Sequence, residues 1–258
     1  MSLLWPERLT LLIHPQRVLL ERRDFRGRVA CEVATALPVA DAAVWQGALS
    51  AALVLLERCG RRGSRLRIVV ADHFVRYALL PWSETMCRPA ERRAVALALF
   101  RSSLGEKADA LEIAVEQARF GQNGMAAAID RELLDALRTA ARKRWLSLVG
   151  IQPRLVSELA TETKTAEPDW FASIDDGWLS LLGMHAGQLA CLHNHRSPTD
   201  DPVRLGAELG GLLRDGRIVV PGQTLSIACA GNAPLPLPGE WKTSVRPYRL
   251  HEARHAPL

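Results

Sequence analysis

An α/β protein made of two successive β-β-β-α-β halves is the fold class that this sequence predicts, and three observations lead there. Two sets of three strand-like runs, Leu9 to Leu37 and Trp170 to His193, are each followed by a helical pattern and a further β-rich run. The order recurs without visible identity between the copies, as a duplicated mixed-sheet architecture would produce. Arg67 to Trp82, RIVVADHFVRYALLPW, combines an apolar run, a polar break and a Pro-Trp terminus, and reads as the centre of the first half's sheet.

The elements follow in order. Leu9 to Ile13, Val18 to Arg23 and Val29 to Leu37 are strand-like, separated by His14-Pro15-Gln16 and by Asp24 to Arg28, with Gly27 as the turn residue. Asp41 can cap a helix that places Val44, Trp45, Ala48, Leu49, Ala52, Leu53 and Leu56 at 3.6-residue spacing before Gly60 ends it. Arg67 to Ala71 and Phe74 to Leu80 are strands on either side of Asp72-His73, and Pro81, which lacks an N–H, stops the second. Trp82 is expected to plug the domain behind that strand, whereas Arg76 in its middle needs an exposed face or an anionic partner.

Pro89 suits the first turn of a helix reaching Leu104, with Gly105 as its stop. Leu111 to Phe120 and Met125 to Ile129 form a hairpin around Gly121 to Gly124, and Asp130 caps a helix to about Trp145. Gly150 to Val156 is a short strand, and Ser157 to Asp169, rich in Thr and Glu with Pro168, reads as a linker. The second meander is Trp170 to Ile174, Trp178 to Met184 and Gln188 to His193, turning at Asp175-Asp176-Gly177 and Ala186-Gly187. Pro202 opens a helix to about Asp215, Thr224 to Cys229 is the next strand, and Lys242 to Leu250 is a further candidate. The expected organisation is a first half over 1–156 with an inserted helix-hairpin-helix segment, a linker over 157–168 and a second half over 169–258.

With 48% hydrophobic and 24% charged residues over 258 positions, the composition is that of an ordinary globular chain. The net charge of +5 comes almost wholly from scattered arginines, only four of the 33 basic residues being lysine, so no nucleic-acid surface is expected. Five isolated cysteines without a C-x-x-C pair suit a reducing cytoplasm. MSLLWPERL is not a secretory signal, and Ala42 to Leu56 is too short an apolar run to cross a bilayer of roughly 30 Å.

Enzyme motifs are absent: there is no G-x-S-x-G elbow, H-E-x-x-H pair or G-x-x-x-x-G-K-[ST] loop. Cys191, His193 and His195 alternate along one strand and could form a soft-metal set, but no fourth ligand is evident and a solvent face needs none. Gly206, Gly210 and Gly211 suit close helix-on-sheet packing, with a docking face as the alternative.

The phrase ADHFVRYALLPW resembles the pattern S-x-x-x-x-R-x-x-x-L-P-W of bacterial actin-like assembly proteins, those related to the type IV pilus protein PilM and the cytoplasmic part of the type II secretion protein GspL. Arg76, Leu80, Pro81 and Trp82 match, and Ala71 stands where Ser is common. The resemblance implies an actin-like ATPase fold, a duplicated RNase H-like domain, whose two meander turns hold nucleotide phosphates through glycine backbone N–H groups and an Asp for Mg²⁺. Here the first turn is His14-Pro15-Gln16-Arg17, without Gly or Asp and with a donor removed by Pro15. The second, Asp175-Asp176-Gly177, partly fits, although such a triplet is also an ordinary hairpin turn. After Cys229, where such folds carry Gly-Gly, only Gly231 remains.

Asp175, Asp176, Gly177 and Gly231 are therefore weak candidates for residual nucleotide contact, with no catalytic residue and no metal ligand assigned. ATP and Mg²⁺ are not expected as cofactors. The resemblance implies a non-catalytic cytoplasmic adaptor that is recruited to the inner membrane by a pilus or secretion assembly partner. Self-association is compatible with it. A GspL-type membrane helix is not expected here. The alternative is a nucleotide-binding ATPase of the same assembly systems.

Overall fold

A computed structural model describes residues 6–40, 42–86, 88–116, 120–162, 169–185, 187–215, 223–229 and 242–247. The chain opens with the antiparallel strands β1 (Arg8–Ile13), β2 (Arg17–Arg23) and β3 (Val29–Thr35), followed by helix α1 (Gln46–Cys59) and by β4 (Arg65–Val70), parallel to β1. The predicted cap Asp41 lies outside the described residues. The helix starts at Gln46 without a side-chain cap, and Val44, ahead of it, is exposed rather than facing the core.

After β4 the chain makes a 3-10 turn over Asp72–Phe74 and leaves the sheet as β5 (Val75–Leu80). Helix α2 (Pro89–Leu104), β6 (Leu111–Val115) and β7 (Gly124–Asp130) follow, and β5, β7 and β6 form a separate three-stranded sheet in that order. The expectation that Arg67 to Trp82 lies centrally in one sheet is thus corrected: β4 is internal to the first sheet and β5 is an edge of another. Asp72 and His73 are where the direction changes.

Helix α3 (Arg131–Lys143) begins at the predicted cap, with Asp130 accepting from the Glu132 N–H at 2.9 Å, a bond contributing about 1 kcal/mol. Strand β8 (Ser147–Pro153) returns to the first sheet parallel to β4, giving the order β3-β2-β1-β4-β8. Leu9, Leu11 and Ile13 face α1 and α3 together with Val18, Leu20, Leu66, Ile68 and Val70, so the period-2 pattern is read out as one packed face.

Helix α4 (Arg154–Glu162) replaces the first half of the predicted linker. Leu155, Val156 and Leu159 share one side and pack between the sheets; of the Thr and Glu residues that read as a linker, Glu158, Thr161 and Glu162 belong to the helix. Residues 163–168 lie outside the description.

The second half repeats the topology with β9 (Trp170–Asp175), β10 (Trp178–His185), β11 (Gln188–Arg196), α5 (Pro202–Asp215), β12 (Thr224–Cys229) and β13 (Lys242–Pro247). Its sheet order, β11-β10-β9-β12-β13, reproduces that of the first half strand for strand, with β12 parallel to β9 and β13 parallel to β12. Every residue of β9 is buried: Trp170, Ala172 and Ile174 face α5, while Phe171 packs with α4 and the small sheet. Gly183 is required on β10, because a Cβ there would lie 2.7 Å from the Trp170 ring. Gly206 and Gly210 sit on the buried side of α5, as helix-on-sheet packing predicts.

Candidate functional site: the junction of the two halves

Three chain reversals meet between the halves: the β1–β2 turn with His14, the turn after β4 with Asp72 and His73, and the β9–β10 turn with Asp175-Asp176-Gly177. The mixed topology brings them together, because β1, β4 and β9 all end at this side of their sheets. Arg154, the first residue of α4, is 1% exposed and its guanidinium is bonded to the carboxylate of Asp175, itself 3% exposed. His14 Nε2 stands 3.5 Å from Asp175 Oδ2 and 3.7 Å from Asp176 Oδ2, and Arg17 reaches Asp176 from the rim at 3.7 Å. The rings of His14 and His73 meet edge to face at 4.8 Å between centroids, and His73 in turn lies 5.3 Å from Trp178.

The backbone donors of both turns are already engaged by the chain itself. The Gln16 N–H donates to His14 Nδ1 at 3.2 Å, the Asp176 N–H to Asp175 Oδ1 at 3.2 Å, and the Gly177 N–H to Thr199 Oγ1 at 2.6 Å. Pro15 has no N–H to give. A phosphate placed here would meet a buried guanidinium committed to a carboxylate and a turn whose amides point elsewhere.

The same bonds decide whether a cation fits. His14, His73 and Asp175 each offer one atom within 4.8 Å of the others. His14 Nδ1 accepts from Gln16, so the neutral ring carries its proton on Nε2, the atom that faces the gap and that a metal would need free. His73 is the same tautomer, its Nε2–H donating to the Asp176 carbonyl at 2.9 Å, so that its one lone pair is on Nδ1. With Asp175 held by Arg154, the trio does not make a metal centre. Burial lowers the pKa of His14 to about 4 against the pull of Asp175, which keeps the ring neutral.

Asp72 ties the halves from the other side. Its Oδ1 accepts from Tyr77 Oη at 2.6 Å and from the Leu155 N–H at 3.1 Å, and its Oδ2 from Ser173 Oγ at 3.4 Å. These donors come from β5, α4 and β9. Burial raises the carboxyl pKa of Asp72 and the phenol pKa of Tyr77, so this is a structural knot and not a pair of poised acids.

No family model matches the sequence, and no curated protein matches it either. Solved structures do. The cytoplasmic domain of EpsL, an inner-membrane component of the type II secretion system of Vibrio cholerae, aligns with a TM-score of 0.61 at 10% identity, over 95% of this chain and 91% of that one. The PilM–PilN type IV pilus biogenesis complex gives 0.59 at 16% identity, over 87% of this chain and 81% of that one. A Bacteroides thetaiotaomicron protein described as having an actin-like ATPase fold and unknown function gives 0.58 at 8% identity, over 88% and 82%.

The chain has an actin-like fold. The assembly proteins that the Arg67–Trp82 phrase resembles are thus among those whose fold it shares, and at these identities the likeness is one of fold. The junction described above lies between the two halves, at the meander turns where the sequence resemblance expects nucleotide phosphates.

Of the predicted cleft residues, Asp175 and Asp176 are in the junction, Gly177 serves the turn with φ of 74°, and Gly231 lies outside the described residues. Arg154 and His73 were missed. Arg154 is one arginine among many in the sequence, and its partner is in the other half of the chain. Of the phrase itself, Leu80 is buried in the core of the small sheet. Arg76 is exposed, donating to the Val75 carbonyl at 3.1 Å and stacking on Trp178 at 5.7 Å.

Trp82 is corrected. It is 37% exposed, meeting the edge of the exposed Phe120 ring at 5.3 Å and lining a surface cavity with Met86 and with Arg92 of α2, because the chain has already left the sheet. Trp82→Ala is accordingly expected to lower the unfolding free energy by about 1 kcal/mol, not the roughly 3–5 kcal/mol of a buried aromatic. Urea denaturation measures it, and a loss of about 3 kcal/mol would restore the plug. The alternating Cys191, His193 and His195 are not on a solvent face: Cys191 packs at the second core and His195 bonds Glu208 of α5 at 2.6 Å. Among the described residues no helix is long and apolar enough to cross a membrane.

Proposed function

We propose that the protein is a non-catalytic actin-like adaptor, acting at the cytoplasmic face of the inner membrane in a type IV pilus or type II secretion-like assembly. The observation that carries this reading is the engagement of the Gln16, Asp176 and Gly177 amides by the chain's own acceptors, next to an Asp175 held by Arg154. A nucleotide would have to displace these bonds before making any of its own. The structures of EpsL and of PilM with PilN supply the biological setting: one is an inner-membrane component of a secretion system, the other belongs to a pilus biogenesis complex. In that setting the partner is an inner-membrane assembly protein.

Mg²⁺-ATP is expected to leave the melting temperature unchanged and to give no calorimetric heat of binding. A Kd at or below about 100 μM would overturn the reading in favour of an ATPase of the same systems, since millimolar ATP would then stabilise by more than about 1 kcal/mol. Co-purification with the cytoplasmic segment of an inner-membrane pilus or secretion protein encoded nearby is the positive arm.

A further inference from the structure

The face of the first sheet turned away from α1 carries a row of four arginines, three of which have side chains without an ion pair among the described residues. In the register of the strands Arg23 of β2 lies level with Arg8 of β1, and Arg8 with Arg65 of β4, while Thr10 lies level with Arg67 one row further along. Level neighbours in a sheet project to the same side, so four guanidinium groups share one surface. They line a groove of about 940 Å³ whose wall is α4, through Ser157 and Thr161. Among the described residues the groove has two acids, and both have partners: Glu21 bonds Arg23 at 3.3 Å, and Glu158 bonds Arg246 at 2.7 Å. Arg8, Arg65 and Arg67 are exposed, and their side chains have no ion pair or hydrogen bond among the described residues.

We propose that this groove docks an acidic segment of a partner protein. Like charges level with one another on neighbouring strands are unfavourable, and a bound anion converts that repulsion into charge-assisted, bidentate hydrogen bonds. The spacing suits carboxylates on a peptide. Strands lie about 4.8 Å apart and alternate residues about 6.8 Å apart, close to the about 5–6 Å between residues three or four apart on a helix and to the repeat of an extended chain. The arginine row lies beside α4, whose Ser157 and Thr161 wall the groove off from a planar lipid surface. The inference stands on the sheet face and is separate from the state of the cleft.

The test is fluorescence anisotropy with a labelled octaglutamate peptide at low salt. Wild type is expected to bind, the Arg8→Ser/Arg65→Ser/Arg67→Ser variant to lose about tenfold or more in affinity, and Arg26→Ser/Arg28→Ser/Arg204→Ser, which removes the same charge elsewhere, to stay within about twofold. Melting curves accompany each variant, and the single changes Arg8→Ser and Arg67→Ser, each weakening binding, replace the triple variant if it does not fold. Equal losses in both triple variants would reduce the effect to net charge and overturn the proposal. So would sedimentation with phosphatidylserine vesicles or binding of duplex DNA that depends on the three arginines while octaglutamate binding does not.

Discussion

Arg154→Ala is expected to lower the unfolding free energy by about 3–5 kcal/mol, the range for removing one partner of a buried ion pair. Both members lie within a few per cent of complete burial, so the carboxylate of Asp175 would be left in the interior without its guanidinium. His14, 3.5 Å from the carboxylate, is neutral beside the intact pair, because burial lowers its pKa to about 4. The large figure is the penalty of an orphaned charge and not the worth of the pair. It follows that Arg154→Met combined with Asp175→Leu, which removes both charges at similar volume, should recover most of the loss. Chemical denaturation of the two single variants and the double variant supplies the cycle. An Arg154→Ala protein within about 1 kcal/mol of wild type would mean that Asp175 is solvated and the junction open.

The second large effect is a dependence on pH. The pKa of His14 is about 4 in the folded chain against 6.5 for a free side chain. Between these values the unfolded chain takes up a proton that the folded one refuses. The contribution of His14 is therefore complete above pH 6.5 and is lost progressively as the pH falls to about 4, to a total of roughly 3 kcal/mol. Asp72 works in the opposite sense: its raised carboxyl pKa favours the folded state at low pH and loses that advantage as the pH rises through its folded value. Comparing wild type with His14→Gln at pH 7 and pH 4.5 isolates the histidine. The variant should lose less stability on acidification, and parallel pH profiles would show that His14 is protonated in place.

Where an element carried its own punctuation, the sequence was enough to place it. Helix α2 runs from Pro89 to Leu104 as predicted because Pro fits its first turn and Gly105 takes a φ of 62° at its end. Both meanders were legible for the same reason, a period of two interrupted by turn residues. What could not be read was anything decided by distant chain. Strand β5 looks like the continuation of β4, and its pairing with β7, some fifty residues on, is not written locally. The side chain of Trp82 is 37% exposed, a property of the fold and not of the strand before it. Asp175 and Asp176 were legible as a turn, but the arginine that closes over Asp175 opens a helix whose start reads as the end of the strand Gly150 to Val156 and whose remainder reads as a linker.

The small sheet acts on the whole molecule. Strand β5 leaves the first half and packs along β11 of the second, and Asn123, near the start of β7, accepts from the Trp82 N–H and donates to the Leu189 carbonyl, both at 2.9 Å. Elsewhere α4 is wedged between the halves and is fastened to β13 by the paired bonds of Arg246 to Glu158. The two lobes are therefore braced by separate struts as well as by the junction between them. Bending one lobe against the other would have to break the struts along with the Arg154–Asp175 contact, so a pull applied to either lobe is carried to the other as through a rigid lever.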